Sequence, residues 1–289
     1  MVVDADLKSI RPWWVKEFLK PVFWGYDYIT PVYSRNEYDA TITNFICYPL
    51  LYGLWGYDIR QPIGGDFAFS AKYVQYILEQ HWYRSTKLFG IDIFLTLNAI
   101  QGDFKLGQVF LGTKDHKPSA PRLGPMFSQV VDTLFRVTLK AKKIWRKPLS
   151  KVKKVKIINQ GMVKDIPPLA IDYKSMKSTA SYLFSINEDI LEKSLLISVY
   201  RKVDRTFRQK KFEVDSQLWA KIVYDILYAV DTTNLNHHLI ESLKPLYFGR
   251  VISFVKKTLD MSHEKSERFI RQQVRDFFKQ RRYFINKYK

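Results

Sequence analysis

Apolar residues recur at two spacings along the chain, and the change of spacing separates a mixed α/β first part from a mainly helical second part. Residues 28–33 and 104–111 have the composition and alternation of strands, and Pro31 indicates that the first lies at a sheet edge or ends there. The run Val2-Val3 before Asp4 is typical of a buried strand that ends in carboxylates.

Helical spacing of apolar residues is found at residues 41–54, 67–78, 123–140, 219–230 and 239–259. Pro49 is expected to break the first of these helices, and Pro245 and Gly249 are expected to interrupt the last. The pair Gly64-Gly65 predicts a tight turn just before the second helix.

The composition changes between the two parts. No acidic residue occurs between Asp132 and Asp165, whereas lysine and arginine are dense there. Residues 136–175 are therefore predicted to form a basic linker between an α/β part, residues 1–135, and a mainly helical part, residues 176–289.

Overall composition limits the class of protein. With 289 residues, 46% of them apolar, the chain can bury the core of one large domain or two. The single cysteine, Cys47, excludes an intrachain disulfide framework and is typical of a reducing compartment. No signal-like segment opens the chain, and the charge-free stretch 40–57 is too polar for a membrane span. A soluble cytoplasmic protein is expected.

The charge balance allows several partners. Lysine and arginine number 47 against 28 acidic residues, a net charge of +19. Such a surface could bind nucleic acid phosphates or an anionic membrane, although a solvated basic surface is the simpler interpretation. Because no nucleic-acid-binding motif accompanies the charge, nucleic acid is not favoured, and peripheral contact with an anionic membrane stays open.

Short polar motifs follow apolar segments in a fixed order through the first part: Asp4-Ala5-Asp6, Tyr33-Ser34-Arg35, Asp39–Asn44, Ile59–Phe67, Phe89–Ile93 and Leu111–His116. The series resembles the GT-A-fold, family 2-type glycosyltransferases, and it looks closest to the mannosylglycerate synthase and glucosyl-3-phosphoglycerate synthase group. The resemblance covers residues 1–135 and continues loosely through Glu241–Arg250. It implies an α/β, Rossmann-like GT-A domain followed by a helical extension.

The resembled enzymes place a nucleotide-binding βαβ half before the Asp-x-Asp motif, whereas this chain begins at that motif. The GT-A domain is therefore expected to be incomplete at its amino terminus. Without the residues that hold the base and ribose, the chain as given is expected to be inactive alone.

The resemblance implies a divalent cation, Mn²⁺ or Mg²⁺, on the diphosphate of a nucleotide-sugar donor. By position Asp6 and His116 would bind the cation, and Asp4 would lie near the donor sugar or ribose. Carboxylate oxygen and neutral imidazole suit these ions. From the residues alone, Asp-x-Asp also fits a turn or helix cap, and His116 also fits a surface loop.

Other donor contacts are expected before the second predicted helix, at Arg60, Gln61, Gly64 and Gly65. The glycines lack side chains and would let the backbone approach a sugar. Two acids, Asp66 and Asp92, match catalytic positions, where a carboxylate could accept the acceptor proton or stabilise positive charge on the sugar ring. Each could instead cap a helix.

The acceptor is expected at Arg35, Thr41, Thr43 and Asn44. Arginine presents a planar fork to a carboxylate or phosphate, and a helix start offers backbone and hydroxyl groups to an anion. The alternative is a helix capped by Asp39 or Thr41, with Arg35 in a surface ion pair.

The sequence thus predicts a hexosyltransferase that moves a sugar from a nucleoside-diphosphate donor to a glycerate-like hydroxy acid, with retention of configuration implied by the resemblance. The competing class is a non-catalytic basic protein that binds an anionic membrane or nucleic acid. The apolar helical stripe at 239–259 is compatible with packing inside the chain or in a homo-oligomer.

Overall fold

The computed structural model describes residues 1–115, 123–159, 161, 166, 169, 171–234 and 236–289. The described residues form two compact units. Unit 1 comprises Met1–Asn36 and Gly56–Pro168, and unit 2 comprises Glu37–Trp55 and Leu169–Lys289. The sequence boundaries proposed at residues 135 and 175 stay predictions.

The elements of the described residues are, in chain order, α1 (Pro12–Phe23), β1 (Tyr28–Ser34), a π-helical segment (Thr43–Cys47), α2 (Tyr48–Leu50), a second π-helical segment (Leu51–Trp55), β2 (Tyr57–Asp58), β3 (Ala68–Phe69), α3 (Ala71–Leu78), α4 (Ile91–Gln101), β4 (Leu106–Thr113), α5 (Leu123–Lys140), α6 (Lys142–Trp145), β5 (Lys153–Lys154), α7 (Tyr173–Ile186), α8 (Glu188–Ser194), α9 (Ile197–Arg208), α10 (Ser216–Thr232), α11 (Asn236–Thr258) and α12 (His263–Asn286).

Unit 1 is organised around a small mixed sheet of strand order β3-β1-β4, in which β1 pairs parallel with β4 and antiparallel with β3. A second pair, β2 with β5, is parallel. The core beside the first sheet joins α1 to the strands and contains Trp14, Phe18, Ile29, Tyr33, Ala68, Val109 and Leu111. This combination fits the α/β class, and the GT-A assignment stays a prediction.

The strand around Pro31 is central in the sheet, but one of its sides loses its strand partner before the proline. β3 pairs only with Tyr28 and Ile29, whereas β4 continues past Pro31. Beyond that point Gln61 replaces a strand, because its amide nitrogen donates to Tyr33 O (2.8 Å) and its amide oxygen accepts from Tyr33 N (3.2 Å). The edge prediction is therefore correct for one side of β1 only.

The amino-terminal segment differs from the predicted buried strand. Val2 makes a single antiparallel bridge, in which its N–H donates to Phe67 O (2.8 Å) and its carbonyl accepts from Phe67 N (3.0 Å). Val2 and Val3 are 45% and 40% exposed. The prediction of burial is wrong for this chain because a one-residue bridge covers only one side of the segment.

The predicted helix at 67–78 begins later than expected. Ala68–Phe69 forms β3, and the helix starts after Ser70, whose hydroxyl accepts from Tyr73 N (3.1 Å) as the N-cap. By contrast, α5 covers the predicted residues 123–140 in full, with its apolar stripe buried.

Unit 2 is helical and is assembled from two distant stretches of sequence. The helical part of its first stretch, residues 43–55, packs among the carboxyl-terminal helices. Gln273 donates to Asn44 O (2.7 Å), and the Trp219 indole donates to Phe45 O (2.6 Å). Gly53 is required at the closest approach, since a Cβ there would lie 2.7 Å from Phe277 Cβ.

The two predicted interruptions of these helices do not occur. Residues 43–55 remain helical through Pro49. The carbonyl four residues before the proline, Phe45 O, lacks its α-helical donor and accepts instead from the Trp219 indole. Likewise α11 runs through both Pro245 and Gly249. Gly249 makes room for Phe207, since a Cβ added at Gly249 would lie 2.9 Å from the Phe207 ring. Tertiary packing here overrides local helix propensity.

Within the described ranges, no helix combines the length and the apolar content needed to cross a bilayer.

Candidate active site

Three of the acids singled out in the sequence, Asp4, Asp66 and Asp92, lie around one lysine, Lys114, in unit 1. The Lys114 ammonium donates to Asp4 Oδ2 (2.6 Å), Asp66 Oδ2 (2.8 Å) and the carbonyl of Gly64 (2.7 Å). An ammonium has three N–H donors, so this buried group is fully satisfied. We call Asp4, Asp66, Asp92 and Lys114 the carboxylate cluster.

The sheet places the cluster. Lys114 directly follows β4, and Tyr33 lies near the end of the parallel neighbour β1, so both are at the carboxyl edge of the sheet. The bridge between Val2 and Phe67 brings the nearby residues Asp4 and Asp66 together, and Asp4 N donates to Asp66 Oδ1 (3.0 Å).

Asp66 is the most enclosed acid of the cluster. Its side chain is 0% exposed and accepts hydrogen bonds from Lys114 and from the Tyr33 hydroxyl (2.6 Å). Burial and the neighbouring Asp66 raise the pKa of Tyr33, so this phenol stays protonated and acts as a donor. Asp66 does not cap the following helix, because Ser70 is the N-cap; that alternative is wrong.

Two glycines allow the cluster to close. Gly65 has φ of +82°, and a Cβ there would lie 2.0 Å from Asp4 Oδ2. At Gly64 a Cβ would lie 2.3 Å from Pro31 Cγ. The glycines therefore admit the Asp4 carboxylate and the β1 strand; contact with a sugar stays a prediction.

Asp92 is in the first turn of α4, after Gly90 at the N-cap. Burial raises its pKa to about 7, with a further increase from Asp4, while Lys114 and a backbone hydrogen bond from Gly65 lower it. Asp4 and Asp66 bring two negative charges against one positive charge on Lys114, so Asp92 enters an anionic site. A carboxyl group that titrates near neutrality can both take up and release a proton.

Asp6, the second acid of Asp-x-Asp, is half-buried in the turn that follows Asp4. Among the residues that the structure describes, its carboxylate has no hydrogen-bond or ion-pair partner. Asp4, by contrast, is paired with Lys114 and is 43% exposed. The two carboxylates of the motif are thus in different electrostatic states, and Asp6 has the more available oxygens.

His116 lies outside the described residues. The residue before it, Asp115, accepts from Lys8 N (2.9 Å) through its carbonyl and donates from its own N–H to Ser9 Oγ (3.0 Å). These bonds hold the chain end of β4 beside the loop that begins two residues after Asp6. Within the described ranges, no group of three histidine, cysteine, aspartate or glutamate residues could hold a metal ion.

Arg60 and Gln61 bond to the sheet strands β4 and β1 rather than to the carboxylate cluster. Arg60 N donates to Gln108 Oε1 (3.0 Å), and the buried Gln61 amide is occupied by the Tyr33 backbone. These contacts position strand β1. A direct contact of either residue with a donor stays a prediction.

The proposed acceptor residues belong to different units. Arg35 is in unit 1, and its guanidinium carbon lies 5.6 Å from the centroid of the Tyr33 ring. Thr41, Thr43 and Asn44 are in unit 2 and are buried.

Two of these unit 2 side chains have partners inside that unit. Thr41 Oγ1 lies 2.5 Å from the Tyr247 hydroxyl, and Asn44 Nδ2 donates to Glu37 O (3.1 Å). No side-chain cap marks the start of the π-helical segment that follows. An acceptor role for these residues stays a prediction.

Lys114 is the site residue that the sequence interpretation left without a role. Its signal was present: Lys114 comes directly after a strand in which four of eight residues are buried, within the motif already noted for His116. A lysine at such a place needs anionic partners, because an unpaired buried charge is costly. Only the fold identifies those partners as Asp4 and Asp66.

The part of the chain that contains this site is similar to a known protein family. Residues 1–122 match the family described as mannosylglycerate synthase, GT domain. This range contains the whole carboxylate cluster.

A curated relative, mannosylglycerate synthase of Selaginella moellendorffii, is 25% identical over 112 residues. The match covers 37% of this chain and 26% of that relative, so it spans about a quarter of the relative's length. Both matches are to mannosylglycerate synthases.

Proposed function

Residues 1–122 are mannosylglycerate synthase-like, and on that premise we propose that the carboxylate cluster belongs to the active site of a metal-dependent glycosyltransferase. The enzyme moves a hexose from a nucleoside-diphosphate sugar to a small hydroxy acid such as glycerate, with retention at the anomeric carbon. The observation that carries the proposal is the meeting of Asp4, Asp66 and Asp92 around Lys114 inside the matched range.

Asp6 and His116 are the residues that would hold Mn²⁺ or Mg²⁺. The available carboxylate of Asp6 and the bonds that fix Asp115 beside Ser9 support this assignment. Two protein ligands leave coordination positions for diphosphate oxygens and water, as is usual for Mg²⁺. When bound, the cation withdraws negative charge from the leaving diphosphate.

The remaining residues bind the sugar, transfer a proton or hold other side chains in place. Asp4 keeps one partly exposed carboxylate fixed by Lys114, which suits acceptance of a hydrogen bond from a sugar hydroxyl. Asp92, whose pKa is raised to about 7, is the group best suited to take the proton of the acceptor hydroxyl at neutral pH. Asp66 and Tyr33 hold Lys114 and Asp4 in place.

The metal assignment is tested by Mn²⁺ binding in the presence of inorganic pyrophosphate, which stands for the donor diphosphate. Free Mn²⁺ is followed by electron paramagnetic resonance. Asp6→Asn and His116→Ala are expected to weaken binding at least about 10-fold, the loss typical of removed metal-site groups. Asp103→Asn, at an exposed carboxylate of unit 1, is the matched control and should bind as the parent chain does.

The transfer itself is tested with a set of nucleoside-diphosphate hexoses, D-glycerate and Mn²⁺, with the product identified by mass and its anomeric configuration by NMR. A hexosyl-glycerate that keeps the donor configuration supports the full proposal, and inversion contradicts retention. Pyrophosphate-dependent Mn²⁺ binding without any product would agree with the expectation that the chain as given is inactive alone, and transfer by this chain would then lack support.

A further inference from the structure

The outer face of α1 is aromatic and basic. At 100° per residue, Trp13, Lys16, Lys20, Phe23 and Trp24 fall within about 100° of the helix circumference. The opposite side carries Trp14 and Phe18, which are buried in the core of unit 1. We call the five residues of the outer side the α1 face.

The α1 face exposes unusually large apolar side chains. Phe23 is 84% exposed, Trp24 is 54% exposed and Trp13 is 45% exposed. Single exposed apolar residues are ordinary on protein surfaces, but adjacent aromatic ones on one helix face mark an interaction surface. Lys20 Nζ lies 4.8 Å from the centroid of the Trp24 ring, so the charge and the aromatic surface are joined.

A basic segment of unit 1 precedes, along the chain, a residue that contacts α1. Asn159 donates to the Glu17 carboxylate on α1 (2.7 Å) and is itself held by the backbone of Phe110. Lys156 precedes Asn159 by three residues, so the Cα atoms of the two residues are within about 11 Å of each other. Upstream of it, three more lysines are exposed: Lys151, Lys153 and Lys154.

A cleft of 590 Å³ separates the helix from this strand segment. Trp13, Lys20 and Trp24 line one side, and Phe110 and Ile158 line the other. Ile157, next to the cleft, is 46% exposed. The only carboxylate that lines the cleft among the described residues, Glu17, is already bonded to Asn159.

We propose that the α1 face docks on an anionic lipid bilayer, with Phe23, Trp24 and Trp13 in the headgroup region and the lysines above it. Tryptophan favours the membrane–water interface, and lysines near an anionic leaflet are attracted to it. The charges support a lipid surface rather than a second copy of the chain, because two α1 faces would bring lysines together on molecules that each carry +19. This inference stands apart from the proposed transferase activity.

Cosedimentation with vesicles tests the proposal. The probes are phosphatidylcholine vesicles and phosphatidylcholine vesicles that contain phosphatidylserine, with the 289-residue chain. Binding is expected only with phosphatidylserine and should weaken as salt rises. Phe23→Ser with Trp24→Ser, and separately Lys16→Glu with Lys20→Glu, should each lower the partition coefficient at least about 10-fold.

Matched controls come from exposed residues of unit 2. Tyr182→Ser removes an aromatic residue that is 65% exposed, and Lys174→Glu with Lys193→Glu makes the same charge change as the α1 pair. Both controls should leave partitioning within about twofold. Circular dichroism of every variant should match the parent chain, which separates lost docking from lost folding.

Brominated phosphatidylcholine mixed into the anionic vesicles gives a readout of depth. It should quench tryptophan fluorescence in the parent chain and less in Trp24→Phe. Equal binding to vesicles without phosphatidylserine, full binding by the α1 variants, or a dimer that the α1 variants dissociate would each overturn the proposal. Tighter binding of single-stranded oligonucleotides through the same residues would also overturn it.

Discussion

The Lys114 ammonium lies 2.8 Å from the carboxylate of Asp66, and both side chains are closed to solvent, with 1% and 0% exposure. This ion pair is enclosed at the carboxyl edge of the sheet, whereas Asp4, the second partner of Lys114, is 43% exposed. The lysine therefore joins a rigid interior acid to an acid that a ligand can reach. We expect this link to govern the shape of the site.

Replacing Lys114 by methionine keeps the length of the side chain and removes its charge. We expect a loss of roughly 3–5 kcal/mol in the free energy of unfolding, because Asp66 is left as a buried, uncompensated charge. Urea denaturation measures the change. Lys154→Met, at an exposed lysine of β5, is the control and should change stability by less than about 1 kcal/mol. Equal losses in the two variants would show that the pair does not stabilise the fold.

The pH dependence of stability reports on Asp92. Its pKa in the folded chain is about 7, above the ordinary value of 3.8, so the folded state holds the proton more tightly than the unfolded state. The stabilisation from this group is present below about pH 4 and is lost as the pH rises towards 7. Asp92→Asn removes that dependence. The free energy of unfolding of the variant, relative to that of the parent chain, should therefore rise by at least about 1 kcal/mol from pH 5 to pH 8.

The control for this titration is Asp103→Asn, which removes an exposed carboxylate of the same unit. Its stability difference from the parent chain should stay flat over the same pH range. If Asp92→Asn also gives a flat difference, Asp92 titrates at its ordinary value and is not suited to proton transfer at neutral pH.

Alanine substitutions at two glycines with similar φ distinguish the cost of backbone strain from the cost of a steric clash. Gly65 has φ of +82° and would place a Cβ 2.0 Å from Asp4 Oδ2, whereas Gly25 has φ of +80° and no neighbour within 4 Å. Gly25→Ala should cost about 1–2 kcal/mol from the left-handed backbone alone. Gly65→Ala should cost at least about 1 kcal/mol more, because Asp4 must move away from Lys114. Equal unfolding free energies would mean that Asp4 moves without cost.

The amide of Gln61 is predicted to hold β1 in place. Gln61→Met keeps the volume but leaves the N–H and C=O of Tyr33 without that partner, at a cost of roughly 2–4 kcal/mol. Gln101→Met, at the exposed end of α4, is the control and should stay within about 0.5 kcal/mol of the parent chain. Thermal unfolding compares the two, and similar melting temperatures would contradict the role of Gln61.

The sequence pattern predicted correctly those elements whose apolar residues follow a regular repeat. The strand at 28–33 and the helix at 123–140 were found because their apolar residues follow the repeat of one element. The continuous helix through Pro49 and the late start of α3 were not, since packing and a serine cap decide them. Propensity is a weak prior where tertiary contacts compete.

The candidate site was predicted in part for a similar reason. Asp4, Asp66 and Asp92 were singled out by motif order, and the fold brings them together. Lys114 gained its meaning only from the fold, because its partners are 110 and 48 residues away. No pattern in one sequence measures such a distance.

The two-stretch composition of unit 2 has a consequence for synthesis of the chain. Asn44 and its partner Gln273 are 229 residues apart, so at about 5–20 residues per second the ribosome makes Asn44 roughly 10–50 seconds before Gln273. During that interval the apolar residues of 43–55 are not yet covered by the carboxyl-terminal helices. A nascent chain stalled before α12 is therefore expected to be cut by proteases near Gly53, and the released chain to be protected there.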